Sequence, residues 1–241
     1  MILLLDAGNS RLKWALCSAN SVKLHQQGIC HYYQPDQINR VCQKYCPDAV
    51  YALAVCGPKK KDWIQTQIPQ PIQWQHAKAE AMGIVCNYDN PAQLGADRWF
   101  NILGGRYFNQ QGALLVVSCG TAMTLDVLAE NNYYLGGSIC PGIQMMHQAL
   151  GEQTAQLKQP LGHFADFARN TQDALMSGII DASIGAINRI QHRLSFSHPK
   201  SDVKIVLTGG NAHVLHPFLD KKNKIIDNLA LFGLASWVMT Q

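Results

Sequence analysis

Met1-Ile2-Leu3-Leu4-Leu5-Asp6-Ala7-Gly8-Asn9-Ser10-Arg11-Leu12-Lys13-Trp14-Ala15-Leu16 opens the chain: an apolar run, a polar turn, and a second segment of alternating character. A short continuous apolar run fits a strand buried on both faces, and alternation after the turn fits a half-buried strand. The turn is therefore a hairpin tip and not the start of a helix. The same order returns at Leu114-Leu115-Val116-Val117-Ser118-Cys119-Gly120-Thr121, which again leads into an alternating stretch, Ala122 to Ala129. Glycine lets the backbone come close to an oxyanion, and successive N–H groups beside Ser, Thr or Asn side chains can hydrogen-bond phosphate oxygens. Two copies of such a hairpin predict two similar domains clasping one nucleotide.

The rest of the chain follows the same plan twice. Strands at Ile2 to Asp6, Arg11 to Ser18 and Leu24 to Tyr32 form a meander, followed by a helix from Pro35 to Tyr45, a strand from Ala49 to Val55, a helix from Lys59 to Gln67 and a strand from Ile72 to Gln75. Glu80 to Pro91 reads as loop and Ala92 to Asn109 as a helix, with Leu94, Arg98, Ile102 and Arg106 at helical spacing. After Gly112 a second meander is expected at Ala113 to Ser118, Ala122 to Ala129 and Tyr133 to Ser138, with an Asn131-Asn132 turn. Helices at Gly142 to Gly151 and Thr171 to Leu194, a strand at Val203 to Thr208, a helix at Asn211 to Leu219, a strand at Lys224 to Ile226 and a helix at Asn228 to Thr240 complete it. Glu152 to Asn170, with Pro160 and Gly162, is the expected insertion or mobile loop. The expected organisation is α/β with two domains, residues 1–112 and 113–241, and the spacing between the copies is a domain duplication rather than a solenoid period.

Composition narrows the function classes. Hydrophobic residues make up 47% of the 241 residues and charged ones 15%, as in a compact soluble protein. The formal charge of +4 is spread out except at Lys59-Lys60-Lys61 and Lys221-Lys222, which lack interleaved aromatics and read as solvated faces, so no nucleic-acid partner is expected. Of the eight cysteines, Cys42 and Cys46 form a CxxxC on an expected helix with no second pair at metal-ligand spacing, and the histidines form no HxxxH or HExxH, which favours buried free thiols in a reducing cytoplasm. The opening apolar run is too short for a signal peptide or a membrane span, so no membrane association is expected.

Asp6 closes the first strand facing the turn, where a carboxylate can hold Mg²⁺ while Gly8, Asn9, Ser10 and neighbouring amides take phosphate oxygens. Lys13 is positioned to neutralise phosphate charge. A third glycine turn, Thr208-Gly209-Gly210-Asn211, follows an apolar strand and suits a flat nucleoside; it is neither a Rossmann nor a Walker fingerprint. Leu94-Gly95-Ala96-Asp97-Arg98-Trp99 opens a long helix, where a carboxylate can accept a hydroxyl proton and an arginine fork can bind a carboxylate.

Taken together, Asp6 to Lys13, Tyr88 to Arg98, Gly120 to Thr124, Gly136 to Gly142 and Thr208 to Asn211 resemble the type III pantothenate kinases, of the acetate and sugar kinase, Hsp70 and actin superfamily. The resemblance covers essentially the whole chain and implies two ribonuclease H-like, actin-like ATPase domains with the nucleotide cleft between them. It further implies ATP-dependent phosphorylation of pantothenate, the first step of coenzyme A synthesis, in a cytoplasmic homodimer. By motif match, Asp6, Ala7, Gly8, Asn9, Ser10, Arg11, Leu12 and Lys13 form the first phosphate loop, and Thr121, Gly209 and Gly210 contact ATP. Asp97 is the proton acceptor. Tyr88, Gly95, Ala96, Asp97 and Arg98 hold pantothenate, and Thr171 adds a contact that in this family can come from across the dimer. Members that use K⁺ or NH₄⁺ commonly carry Asp where this chain has Ser118; a neutral hydroxyl is a poorer cation ligand, so a monovalent cation stays open here, whereas Mg²⁺ does not. Two other readings remain open at this level, a non-catalytic nucleotide-binding regulator on the same fold and a kinase for another small hydroxy acid. A regulator would be marked by a missing base or a broken phosphate turn, whereas here Asp6, Asp97, Arg98 and Thr121 are all present.

Overall fold

A computed structural model describes residues 1–34, 37–197 and 203–241. The chain begins with β1 (Ile2–Ala7), β2 (Leu12–Cys17), β3 (Gln26–Cys30), α1 (Gln37–Tyr45), β4 (Ala49–Ala54), α2 (Pro58–Gln67), β5 (Ile72–Gln75), β6 (Glu80–Ala81), β7 (Ile84–Cys86) and α3 (Ala96–Phe108). It continues through β8 (Leu114–Cys119), β9 (Ala122–Leu128), β10 (Tyr133–Pro141), α4 (Ile143–Gln153), α5 (Thr171–Ser197), β11 (Lys204–Thr208), α6 (Ala212–Leu215), β12 (Lys224–Ile225) and α7 (Leu229–Val238). The start of the first helix expected at Pro35 lies outside the described residues.

The duplication is written in the strand order. One sheet runs β3-β2-β1-β4-β5, and the other runs β12-β11-β8-β9-β10-β7-β6. Its five strands β10-β9-β8-β11-β12 repeat the order of the first sheet, meander first and crossover strands after. In both, the opening strand is parallel to the first crossover strand, β1 to β4 and β8 to β11. A strand flanked on both sides and covered on both faces needs apolar side chains throughout, and all six residues of β1 are buried. Leu3, Leu5, Leu12, Leu16, Ile38, Val50, Ala52 and Ile64 pack into one core around that sheet.

By packing, the chain divides into two compact units. The first comprises Met1–Gln111, Val127–Gly136 and Asn228–Gln241, and the second Gly112–Asp126 and Gly137–Asp227. The C-terminal helix α7 thus belongs to the unit that contains the N-terminus. It lies against α3 so closely that a Cβ built on Gly104 would sit 2.3 Å from the Leu229 carbonyl oxygen, and one on Gly233 would sit 1.9 Å from that of Phe100. Small residues facing one another let the two helix backbones touch and hold α3 rigidly along its length.

Some sequence expectations need correction. Glu80 to Pro91 is not simply loop: β6 and β7 pair antiparallel, and β7 joins β10 through Tyr133↔Val85 and Tyr134↔Cys86. These strands have two and three residues, too short for alternation to register. The long helix starts at Ala96 and not at Ala92, because Pro91–Gln93 is a separate 3₁₀ turn capped by Asn90, whose Oδ1 accepts from Ala92 N at 3.1 Å. The helix expected over Asn211 to Leu219 is the four-residue α6 followed by a 3₁₀ turn at His216–Phe218, where Pro217 supplies no N–H. The segment after Gln153 lacks regular structure but is tied down, Ala165 N donating to Ser177 Oγ and the Ser177 hydroxyl to Ala165 O, both at 3.0 Å.

All eight cysteines are free thiols, six of them buried, with Cys46 exposed and Cys140 intermediate. Burial raises the thiol pKa of Cys17 and Cys30 to about 11 and of Cys119 to about 12. No group of three His, Cys, Asp or Glu that could hold a metal occurs among the described residues. No helix among them is long and apolar enough to cross a membrane.

Candidate active site

In the first unit, β1 and β2 form the expected hairpin, with Ala7 opposite Leu12 and Asp6 opposite Lys13. Directly opposed residues of an antiparallel pair project on one face. The Asp6 carboxylate and the Lys13 ammonium accordingly form an ion pair at 3.8 Å. Asp6 is buried, and burial raises its pKa above the ordinary value of 3.8 while Lys13 pulls it back down. A carboxylate in that state gains from any cation brought to it. Gly8 N donates to Arg11 O at 3.2 Å, leaving Asn9 and Ser10 as the tip.

The second cluster of this unit is built at the start of α3. Gly95 is its N-cap residue, with no side chain to cap, and Asp97 lies in the first turn. Asp97 Oδ1 accepts from Arg98 N at 2.8 Å. A Cβ at position 95 would lie 2.7 Å from that same oxygen, so glycine is what leaves room for the carboxylate. The positive end of the helix stabilises its charge. Arg98 is only 5% exposed, and its guanidinium donates to Tyr134 OH at 3.1 Å and Tyr88 OH at 3.5 Å. The Tyr88 and Tyr134 rings stack at 6.3 Å, and the edge of Trp99 closes on Tyr134 at 6.1 Å. Asn87 N bonds the Tyr134 carbonyl at 3.1 Å, which ties the Tyr88 loop to β10.

Tyr134 is the residue that sequence reading missed. Its position on the buried side of a strand was readable, and a buried phenol requires a hydrogen-bond partner. What the sequence could not supply was the identity of that partner, 36 residues earlier in the chain.

The second unit gathers its own glycines. Gly120 N bonds Ala122 O at 3.2 Å, so Thr121 alone forms the tip and this hairpin is tighter than the first. Thr121 O accepts from Gly142 N at 3.0 Å, and a Cβ on Gly142 would strike the carbonyl oxygens of Gly120 and Thr121 at 2.4 and 2.5 Å. Gly209 has φ +93°, a conformation open to glycine, and its Cβ position lies 2.7 Å from Cys119 O. Asn211 N bonds that same carbonyl at 3.0 Å. A small pocket lined by Cys119, Gly120, Met123, Gly142, Ile143, Ser183, Asn211 and Leu215 opens where these turns meet. A side chain on Gly210 would meet open space. Ser118 holds the place in β8 that Asp6 holds in β1, two residues before the turn glycine. Thr171 is exposed at the start of α5. The helix cap there is Asn170, whose Oδ1 accepts from Asp173 N at 2.9 Å, and not Thr171.

Solved structures place the fold among known ones. A Campylobacter jejuni protein assigned to the Baf family of transcriptional activators superposes with TM-score 0.64 at 20% identity, covering 99% of this chain and 98% of that one. A Sinorhizobium meliloti protein named for 2-dehydro-3-deoxygalactonokinase gives TM-score 0.60 at 12% identity over 99% and 98% of the two chains. A Listeria monocytogenes protein named for N-acetylmannosamine kinase gives 0.54 at 9% over the same shares. The fold is thus that of the actin-like and sugar-kinase class, two ribonuclease H-like domains.

The family follows from sequence. The family model described as type III pantothenate kinase matches residues 2–193. A type III pantothenate kinase of Chromobacterium violaceum is 36% identical over 97% of this chain and 98% of its own length. One from Aromatoleum aromaticum is 37% identical over 98% and 96%. The chain belongs to the type III pantothenate kinase family.

Proposed function

We propose that this protein transfers the γ-phosphoryl group of ATP to the primary hydroxyl of pantothenate, giving 4'-phosphopantothenate and ADP, the opening step of coenzyme A synthesis. The observation that carries the reading is full-length similarity to type III pantothenate kinases in a chain that keeps a carboxylate and an arginine side by side at the start of α3. Successive residues of a helix point about 100° apart. Asp97 and Arg98 therefore address different parts of a ligand, a hydroxyl in one case and a carboxylate in the other. The regulator reading loses ground because nothing in the phosphate turn or at the base is missing.

In this reading the pantothenate hydroxyl gives its proton to Asp97 as its oxygen attacks the γ-phosphorus, and the bond from that phosphorus to the bridging oxygen breaks to release ADP. Arg98, held by Tyr88 and Tyr134, binds the substrate carboxylate, with Gly95 and Ala96 as backbone contacts. The turn from Asp6 to Lys13 takes phosphate oxygens, and Thr121, Gly209 and Gly210 contact ATP. Mg²⁺ fits a site made of one buried carboxylate and ATP oxygens, so Asp6 would hold it, directly or through water, and bound Mg²⁺ would neutralise charge on the phosphates. Ser118 offers only a hydroxyl, a poorer ligand for K⁺ or NH₄⁺ than a carboxylate, and turnover measured with and without those ions decides whether one is used. The repeats are residues 1–112 and 113–241, and the protein works as a cytoplasmic homodimer in which the exposed Thr171 contacts pantothenate, from its own subunit or from across the dimer.

The test is a panel of small hydroxy acids with ATP and Mg²⁺, with the product identified by mass spectrometry. Pantothenate should be phosphorylated, and Asp97→Asn should fold yet lose roughly 10²- to 10⁴-fold in kcat. Phosphorylation of another acid with pantothenate untouched would overturn the substrate. Full turnover by Asp97→Asn would remove Asp97 as the base.

A further inference from the structure

The lysine run Lys59-Lys60-Lys61 reads from sequence as a solvated face, yet it occupies the first turn of α2, directly after Pro58, with no acidic residue in that turn. Cations at the positive end of a helix work against it. Two of the three are engaged elsewhere. Lys61 stands over the Trp74 ring at 4.5 Å, and Lys60 over the Tyr32 ring at 4.8 Å. The Lys60 ammonium also donates to the Asn9 carbonyl oxygen, 51 residues earlier in the chain. Tyr32 itself donates its hydroxyl to the Gly8 carbonyl at 2.6 Å and approaches that of Arg11 at 3.4 Å. Two side chains from outside the hairpin thus grip consecutive carbonyls of the phosphate turn.

We propose that Tyr32 and Lys60 are positioning residues for ATP, a two-point brace that fixes the peptide planes of the Gly8 to Ser10 turn before the nucleotide arrives. The inference rests on the kinase reading above. In a trans peptide the C=O and the following N–H point in opposite directions, and no peptide bond among the described residues is cis. Anchoring the Gly8 carbonyl therefore aims the Asn9 N–H the other way, and anchoring the Asn9 carbonyl fixes the next peptide plane in the same manner. A turn of small polar residues would otherwise sample several orientations, and ATP would have to select one at a cost in affinity. Burial keeps the Tyr32 hydroxyl protonated well beyond the ordinary tyrosine range, so it serves as a permanent donor. Trp63 meets both Tyr32, at 5.9 Å, and Tyr33, at 5.8 Å, which fixes the brace from behind.

The experiment is steady-state kinetics on the full chain for Tyr32→Phe, Lys60→Gln and Lys60→Arg, with melting temperatures measured alongside. Tyr32→Phe and Lys60→Gln should each raise KM for ATP roughly three- to tenfold, the size of one lost hydrogen bond, while KM for pantothenate changes less than twofold. Lys60→Arg keeps a cationic donor and should recover most of the loss. An unchanged KM for ATP in both removal variants overturns the brace. So does a matched rise for both substrates with a lowered melting temperature, which marks general loosening. If Tyr32→Phe does not fold, the Lys60 pair at the half-exposed start of α2 decides alone. Failure of the wild type to phosphorylate pantothenate would count against the functional reading instead. The brace is then read from ATP affinity by calorimetry, with the same three- to tenfold weakening expected and equal affinities refuting it.

Discussion

Replacing Gly104 by alanine in the middle of α3 sets two effects of known size against each other. Helix propensity alone favours the change by about 0.8–1.0 kcal/mol. Packing opposes it, because the new Cβ would lie 2.3 Å from Leu229 O and 3.1 Å from both Gly233 N and Leu229 Cδ1. Two of the obstacles are backbone atoms of α7, so no side-chain rotation relieves them. The helices must part by roughly 1 Å, and overpacking of this kind costs about 1–3 kcal/mol and occasionally more. The net expectation is a loss of up to about 2 kcal/mol. With an unfolding entropy of about 2.1 cal/mol/K per residue, a chain of this size should melt up to roughly 4 °C lower. Gly178→Ala and Gly185→Ala are the controls: both lie in α5 with nothing within 4 Å of the added carbon, so each should gain about 1 kcal/mol and melt about 2 °C higher. Differential scanning calorimetry reads all three. If Gly104→Ala rises with the controls, the close approach of α3 and α7 is wrong. Because α3 carries Asp97 and Arg98 in its first turn, kcat should fall in Gly104→Ala and stay level in the controls.

Two further expectations concern the site. The pKa of Asp6 is raised by burial, so its favourable contribution is complete below the unfolded value of 3.8 and is lost as pH rises through the folded value. At pH 7 its charge is a cost, and Asp6→Asn should melt higher than the wild type there, with the advantage shrinking towards acid pH, while ATP-dependent turnover collapses; a lower melting temperature at pH 7 would refute this. Tyr134→Phe removes the 3.1 Å bond to a buried guanidinium and should raise KM for pantothenate about tenfold or more with KM for ATP unmoved. Unchanged pantothenate kinetics would mean that the phenol does not position Arg98.

The features legible in the sequence were those that depend on neighbours along the chain. The Leu3 to Leu5 run, the turn at Gly8 and its echo at Gly120 carried the duplicated meander, because burial of a central strand leaves a continuous apolar signature. The start of α3 misled by four residues, since Pro91 and Ala92 suit a helix start yet Asn90 caps only a single 3₁₀ turn. Illegible features were those made by distant partners. Nothing local says that Tyr134 will meet Arg98, that Lys60 will reach Asn9, or that Gly233 will lie against Phe100. Charge runs in particular read as solvent-facing until the residues they meet are known.

The docking of α7 on α3 also sets an order of events during synthesis. Residues 1–111 emerge first, but the unit they build is finished only by Asn228–Gln241. At about 5–20 residues per second the ribosome needs on the order of ten seconds to make the intervening chain. Through that interval α3 waits with the surface around Phe100 and Gly104 uncovered, and the second unit has its own residues complete beforehand. The half of the enzyme made first is therefore the half that matures last, and a chain stopped before Asn228 would have its second unit whole while its first is left without a lid on its core.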